Sequence, residues 1–570
     1  MSGPPQSEPT PAAASSPRAR GAMDAGGRGA VLVAAGILLS RVLGLVRERV
    51  FAHYFGSSAA AAAFKAAQRI PNFLQNLFGE GVLSASFFPV YARLRAAEED
   101  EEADRVAGAV FGILALVTGV LVAAGMALTP WFLDLVAPGF EGESRALAIS
   151  LVRIVFPGTG MLVMSAWCLG ILNSHRRFFL PYAAPALWNL VQIGTLWAVG
   201  RGAAQDRLAQ WLAWATVGGS ALQFLVQLPE VVRLLGRFRP SLDLARKNVR
   251  QVLRSFGPVV GGRGVVQISA YVDTAFASLI TERALAVLAY AQALYLIPVS
   301  LFGMAVSAAE LPEMARATGT PEEVARKVRE RIELASRRIA FFVVPSAAAL
   351  LALGDVVGAA VLQTGRFGPR DARYLWYVLI GSTVGLLAST LGRLFASAFY
   401  ALRDTRTPLY FAALRVALGA SAAYWVALRV PGLLGLPREL GAAGITVTSG
   451  LTAWLEYLLL RWRLGQRIGR AGIGMWELAR LWLAAGIAAA AGIGVKVTLV
   501  RWRGPAPGGE LEWYGSVLPA PAMHPVLAGA LVLSAFGVLY LALTALMGNE
   551  QARAAIGRVW RRRPASQRTD

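Results

Sequence analysis

Apolar stretches long enough to cross a bilayer recur from one end of this 570-residue chain to the other, and no other feature constrains its fold as tightly. A bilayer offers no water to an unpaired N–H or C=O, so each stretch must satisfy its backbone within itself, as a helix. About 14 such stretches are counted, at 29–54, 63–92, 107–128, 146–172, 181–200, 208–232, 254–280, 284–313, 335–353, 373–401, 408–428, 440–461, 477–499 and 525–547. With 56% hydrophobic residues and a mean hydropathy of +0.51, the chain is too apolar to be one soluble core of this length. The fold class that follows is an all-α polytopic membrane protein.

The first two spans break the pattern. Between Ser40 and Tyr91 they carry Arg41, Arg47, Glu48, Arg49, Lys65, Arg69 and Glu80, and are interrupted by Gly44, Gly56, Pro71, Gly79, Gly81 and Pro89. A charge within a span costs a few kcal/mol, so it is kept facing a partner or a wet cavity. Single arginines at a membrane surface merely set topology, but a cluster on Gly- and Pro-broken helices fits a transporter binding site.

The net charge of +22 does not indicate nucleic acid, because the basic residues lie between apolar spans and form no stripe with aromatics. They fit the positive-inside rule instead. RLLGRFRPSLDLARKNVRQVLR, RATGTPEEVARKVRERIELASRR, RWRLGQRIGR and RVWRRRPASQR are read as inner segments, which places both termini in the cytoplasm. A lone cysteine, Cys168, leaves no internal disulfide or Cys-based metal site. The three histidines, His53, His175 and His524, form no ligand-spaced motif, so no cofactor is expected. The candidate acids of the outer side, Asp134, Glu141, Glu143, Asp206, Glu282, Asp355, Asp371, Glu510 and Glu512, are scattered and pair into no acid–base unit, which argues against an enzyme.

Five segments are expected: a disordered tail at 1–28, a six-helix lobe at 29–235, a second at 236–464, two further spans at 465–548 and a basic cytoplasmic tail at 549–570. Duplication is suggested by the second and eighth spans, ending SFFPVYARL and AAELPEMARA, and by SRVLGLVR and GPVVGGRGVV in the first and seventh. On a helix Lys65 and Arg69 share a face, as do Arg41 and Glu48, with Gly44 between the latter two able to bend it. Arginine suits bidentate phosphate contact and lysine a mobile point charge, so the expected ligand is a pyrophosphate-like anion.

In order and spacing, SRVLGLVRE, HYFG, IPNFLQNLFGEGVLSASFFPVY, APGF, GILNSHRRFFLPYAAPALWN, QISAYVDTAFASLI, TGRFGPRDA and FYALRDTRTP resemble the MurJ/MviN family of lipid II flippases, from Gly29 to the end of the twelfth span. The resemblance implies a MATE-like fold of two pseudo-symmetric six-helix lobes around a central cavity, followed by two helices lining a groove for a polyprenyl tail. It implies movement of lipid II, the undecaprenyl-diphosphate-linked peptidoglycan precursor, to the outer leaflet of the bacterial cytoplasmic membrane. The partners it implies are lipid II, membrane lipids and cell-wall synthesis proteins, with a monomer as the working unit. On matching positions Arg41 and Arg47 are cavity arginines, Glu48 is the acid after the second arginine, Arg69 is the base before PN, and Glu80 is the glutamate of FxEG.

The chain departs from that pattern at Ala62, where the family has an acid, at Gln75 and Asn76, where it has a base, and at Gln292 and Ala293, where it has an Asp-Arg pair. Lys65 and Arg263 are extra cations placed to substitute, which completes the expected substrate-binding set. Two further readings stay open: an exporter of another polyprenyl-linked glycan or amphipathic compound, and a non-transporting scaffold.

Overall fold

The structure, a computed structural model, describes the backbone of residues 17–501 and 524–561, with side chains there except at 17–31, 34, 80, 257–270, 500–501, 555–556 and 558–561. The first half of the chain forms α1 (Pro17–Phe55), α2 (Ala59–Phe78), α3 (Glu80–Ala96), α4 (Asp100–Ala127), α5 (Thr129–Val136), α6 (Gly142–Ser174), α7 (Phe179–Val199), α8 (Gln205–Leu225) and α9 (Leu228–Leu234). The second half forms α10 (Lys247–Ile280), α11 (Glu282–Pro298), α12 (Ala305–Ala315), α13 (Pro321–Leu362), α14 (Pro369–Val384), α15 (Leu386–Ala401), α16 (Arg406–Leu428), α17 (Val430–Leu433) and α18 (Gly441–Ile468). Then come α19 (Met475–Arg501), α20 (Pro525–Leu546) and α21 (Glu550–Arg561).

Each of the expected spans coincides with helix. Among the described residues nine helical stretches are long and apolar enough to cross a membrane by length and composition alone. The other five expected spans are helical as well, and of α1 and α10 only part is described with side chains. Three long spans are broken rods. The stretch 63–92 divides at Gly79, where a Cβ would lie 2.3 Å from the Gln75 carbonyl oxygen. The stretch 284–313 passes from α11 through a π-turn at Val299–Met304 into α12, directly after Pro298, whose ring nitrogen cannot donate. The stretch 373–401 divides at Gly385, whose Cβ would sit 2.4 Å from the Cα of Gly450, so α15 and α18 cross backbone to backbone there.

α1 already begins at Pro17, inside the stretch expected to be a disordered tail. Proline at the first helical position loses no intrahelical bond, and Arg and Ala carry the turn forward. Residues 1–16 of that tail, the connection holding Glu510 and Glu512, and residues 562–570 lie outside the described residues. α13 spans 42 residues and is kinked at Leu353 (φ −128°, ψ 19°); the part before the kink alone, roughly 50 Å at about 1.5 Å per residue, outreaches a bilayer core. Its charged start PEEVARKVRERIELASRR opens on a reciprocal cap between Thr320 and Glu323.

Packing is mostly within each half. α1 lies along α7, and α6 against α8, α2 and α4; in the second half α18 lies against α16, α14 and α15, while α19 and α20 pack on one another and on α13. One buried apolar cluster runs through both halves and the α19–α20 hairpin. A second surrounds Phe87, Trp167 and Val252.

Candidate functional site

Glu48 organises the charges at the start of the chain. It is 8% exposed, and its carboxylate is divided between two cations: Oε1 accepts from Arg47 Nη2 at 2.7 Å and Oε2 from Lys65 Nζ at 2.7 Å. Aromatic rings complete the shell. The Arg47 guanidinium lies 4.7 Å from the Trp188 ring centre, and the Lys65 ammonium 4.4 Å from Phe51 and 5.4 Å from Tyr290. Two cations face one anion, so the cluster keeps a net positive charge in a weakly polar surround.

Arg69, one turn beyond Lys65 on α2, turns the other way. Its Nε donates to Thr274 Oγ1 of α10 at 3.1 Å and its Nη2 to Gln292 Oε1 of α11, while the Tyr271 hydroxyl donates to the Arg69 carbonyl at 3.1 Å. It therefore ties the first half to the second, within electrostatic reach of Lys65 and Asp273. Gln292, one of the positions departing from the family pattern, proves to be its partner. Ala62, another, is fully buried in the apolar core.

Of the seven expected site residues, the structure gathers Arg47, Glu48 and Lys65 into one contact group and sets Arg69 at the seam beside them. Arg41 is exposed and stands about two helical turns from Glu48 on the unbroken α1, so sharing a face does not bring the two into one environment. The side chains of Glu80 and Arg263 lie outside those described. Arg49 belongs elsewhere: its Nη1 donates to the Ala360 and Val361 carbonyls at 2.8 Å, capping the C-terminal end of α13. Trp188 and Tyr290 were missed by reading charges alone. A tryptophan in the middle of an apolar span, away from the interfacial belts, was the available signal.

Beside Arg69 a cavity of about 690 Å³ opens between α2, α4, α5 and α10, lined by Ile70, Phe73, Leu77, Leu121, Phe132 and Tyr271 among others. Its lining is apolar, so it suits hydrocarbon and not a diphosphate.

The two halves are bonded together at both ends of the bundle. At one end the Tyr290 hydroxyl donates to Gly56 O at 2.7 Å, Ser57 Oγ to Asp371 Oδ1 at 2.6 Å, and Arg366 N to His53 O at 2.9 Å. His53 Nδ1 shares a 2.8 Å bond with Thr364 Oγ1. At the other end Arg246 pairs with Glu102 at 2.7 Å, and Arg93 Nη2 donates to Asn248 at 3.0 Å. These bonds would have to break in turn for a site at the seam to face each side of the membrane.

A polytopic helical bundle in two halves, with cations held at their seam and a further helical hairpin on the second half, has a MATE-like fold. Among solved structures, an inward-facing multidrug resistance MATE family transporter of the MOP superfamily superposes with a TM-score of 0.58 at 17% identity, over 77% of this chain and 98% of that one. A lipid II flippase MurJ in an inward closed conformation superposes with a TM-score of 0.71 at 21% identity, over 91% of this chain and 98% of that one. The family profile described as lipid II flippase MurJ matches residues 51–505, and the chain belongs to that family. The lipid II flippase MurJ of Burkholderia cenocepacia is 29% identical over 522 residues, covering 90% of this chain and 96% of that one. The probable lipid II flippase MurJ of Rhizobium meliloti is 31% identical over 79% of this chain and 83% of that one.

Proposed function

We propose that this chain flips lipid II from the inner to the outer leaflet of the cytoplasmic membrane by alternating access, as a transporter with no covalent step. The observation that supports it best, beside family membership, is the surplus of cations at Glu48: Arg47 and Lys65 share a single carboxylate, and Arg69 stands next to them at the seam. A diphosphate reaching this point would find guanidinium donors already oriented and incompletely neutralised. In this reading residues 29–235 and 236–464 are the two rocking lobes, residues 465–548 add the tail groove, and Arg41, Arg263 and Glu80 complete the substrate-binding set. The basic loops favour cytoplasmic termini. A single chain, surrounded by membrane lipids and delivering to cell-wall synthesis proteins, is the working unit.

The test is rescue of a cell depleted of its own lipid II flippase, paired with a leaflet-resolved assay of lipid II. The wild-type chain restores growth and outer-leaflet lipid II. Arg47→Gln and Arg69→Gln, each inserted at normal levels, each lower transport by about tenfold or more, the worth of one charge-assisted contact. Absence of lipid II movement by the wild type refutes the reading, and full activity of both variants refutes the assignment of the site.

A further inference from the structure

The two halves end corresponding helices with the same left-handed turn, one that also closes α3 at Glu98. After α6, Arg176 takes φ +58° and its N–H bonds to Asn173 O at 3.0 Å, while Arg177 N bonds to Leu172 O at 2.8 Å. After α15, Arg403 takes φ +60° and bonds to Tyr400 O at 3.0 Å, while Asp404 N bonds to Phe399 O at 2.9 Å. In both, the next helix starts three residues after the left-handed arginine and has proline two residues further on, Pro181 in one and Pro408 in the other. An arginine in this conformation, which glycine adopts freely, costs about 1 kcal/mol.

What fills the turn differs. In the second half Asp404 caps α16, accepting from the N–H groups of Arg406 and Thr407 at 3.1 and 3.0 Å, and pairs with Arg467 at 2.6 Å. In the first half the matching residue is Arg177, and α7 starts without a side-chain cap. The space there is an open pocket of about 490 Å³ lined by Arg176, Arg177 and Arg233, within the range of small-molecule pockets. One carboxylate, Glu230, pairs with Arg177 at 3.5 Å and Arg233 at 4.0 Å, and a single negative charge cannot neutralise three guanidinium groups. Leu32, Phe179, Leu180 and Val226 supply an apolar wall, and it continues onto exposed apolar surface at Phe179, Leu225 and Val226.

We infer that this pocket binds an anionic glycerophospholipid of the surrounding bilayer, its phosphodiester taking the place that the Asp404 carboxylate fills in the other half and its acyl chains lying along the apolar wall. Basic pockets between membrane helices at the positively charged face recognise lipid head groups in this way. A surplus of two positive charges, three arginines against one glutamate, selects a net negative head group over a zwitterionic one. The site is separate from the Glu48 cluster, and the inference does not depend on which lipid-linked cargo the chain moves.

The experiment is native mass spectrometry of the purified full-length protein in detergent, with phosphatidylglycerol and phosphatidylethanolamine offered in equal amounts and inorganic phosphate in a separate arm. The wild type retains phosphatidylglycerol preferentially. Arg177→Gln/Arg233→Gln loses that preference by about tenfold, the scale of one or two charge-assisted contacts, and Arg233→Gln alone, at a largely exposed position, loses part of it. Arg237→Gln, on the same face but outside the pocket, keeps it. Equal retention of both lipids, an unchanged preference in the variants, or the same loss in Arg237→Gln overturns the inference. So does displacement of phosphatidylglycerol by inorganic phosphate, which means a bare anion site, or one-for-one displacement by lipid II, which means a part of the cargo site.

Discussion

Replacing Glu48 by glutamine removes the one carboxylate that two buried cations share, and the structure sets the size of the effect. The side chains of Glu48, Lys65 and Arg47 are 10%, 11% and 17% exposed, so water screens little of the change. Taking one partner from a buried ion pair costs about 3–5 kcal/mol, because the other charge is left without compensation. The aromatic faces return part of this: Trp188 stays under Arg47, and Phe51 and Tyr290 stay near Lys65, at roughly 1 kcal/mol for such a contact. The net expectation for Glu48→Gln is a loss of about 2–4 kcal/mol. Adding Lys65→Met removes the orphaned ammonium but keeps its stem against Phe51, and recovers about 2 kcal/mol, within the coupling range for residues in contact. The measurement is a denaturant-unfolding cycle of the four proteins in one detergent. A Glu48→Gln cost under about 1 kcal/mol, or two single costs that simply add, would show that the carboxylate does not hold the two cations together.

Asp355, 1% exposed, pairs with Lys496 of α19, so Asp355→Asn loosens the C-terminal hairpin by about 3–5 kcal/mol while the exchange Asp355→Lys/Lys496→Asp regains most of it, read as protease resistance of 475–546. Asp404 lies between α15 and α16, where the Thr407 N–H first, then the Thr407 hydroxyl and Arg467, hold its carboxyl down from the ordinary 3.8 to about 2. A depressed carboxyl stabilises the fold above its unfolded pKa, and that stability is lost as pH falls from about 4 to about 2, so the wild-type thermal midpoint should drop further across this window than that of Asp404→Asn. Gly139→Ala places a methyl 2.0 Å from the Ser278 carbonyl oxygen and should cost about 1–3 kcal/mol of stability, whereas Gly119→Ala, inside α4 with nothing within 4 Å, should raise the thermal midpoint slightly, by the roughly 0.5–1 kcal/mol that alanine gains over glycine in a helix.

The stretches that hydropathy picked out are all helical, nine of them long and apolar enough to span among the described residues, because a bilayer demands continuous apolar helix, a constraint written in local sequence. The same reasoning flagged Pro71, Gly79 and Pro89 as interruptions, yet only Gly79 breaks the rod; Pro71 and Pro89 sit inside α2 and α3. A proline costs one hydrogen bond that a packed helix can do without, whereas the Gly79 position cannot hold a side chain at all. Which charges belong together was less legible. Lys65 and Arg69 do share a face, but their side chains are long enough to turn to different helices, one to Glu48 of α1 and the other to Thr274 and Gln292 of α10 and α11. Arg49 reads as another cavity charge until α13 is seen to end beside it, 311 residues later in the chain. Partners that distant are fixed by tertiary packing, which local periodicity does not encode.

Gln292 shows why a departure from a family pattern needs its neighbours before it can be judged. An acid at that position would pair with Arg69 and cancel its charge. Glutamine accepts the same guanidinium through a neutral carbonyl, and Thr274 accepts through a neutral hydroxyl, so Arg69 is oriented without being neutralised by either. At the Glu48 cluster the same end is reached by arithmetic, with two cations on one carboxylate. Both arrangements fix the position of positive charge at the seam; Asp273, within electrostatic reach of Arg69, offsets part of it there, and the surplus at Glu48 is what an anion entering from the membrane would meet. A rigid, fully paired network would bind nothing, and free arginines would collapse onto the nearest carboxylate. The Glu48 cluster and the Arg69 bridge stand between these limits, so Gln292→Glu should stabilise the fold and at the same time weaken anion binding at the seam.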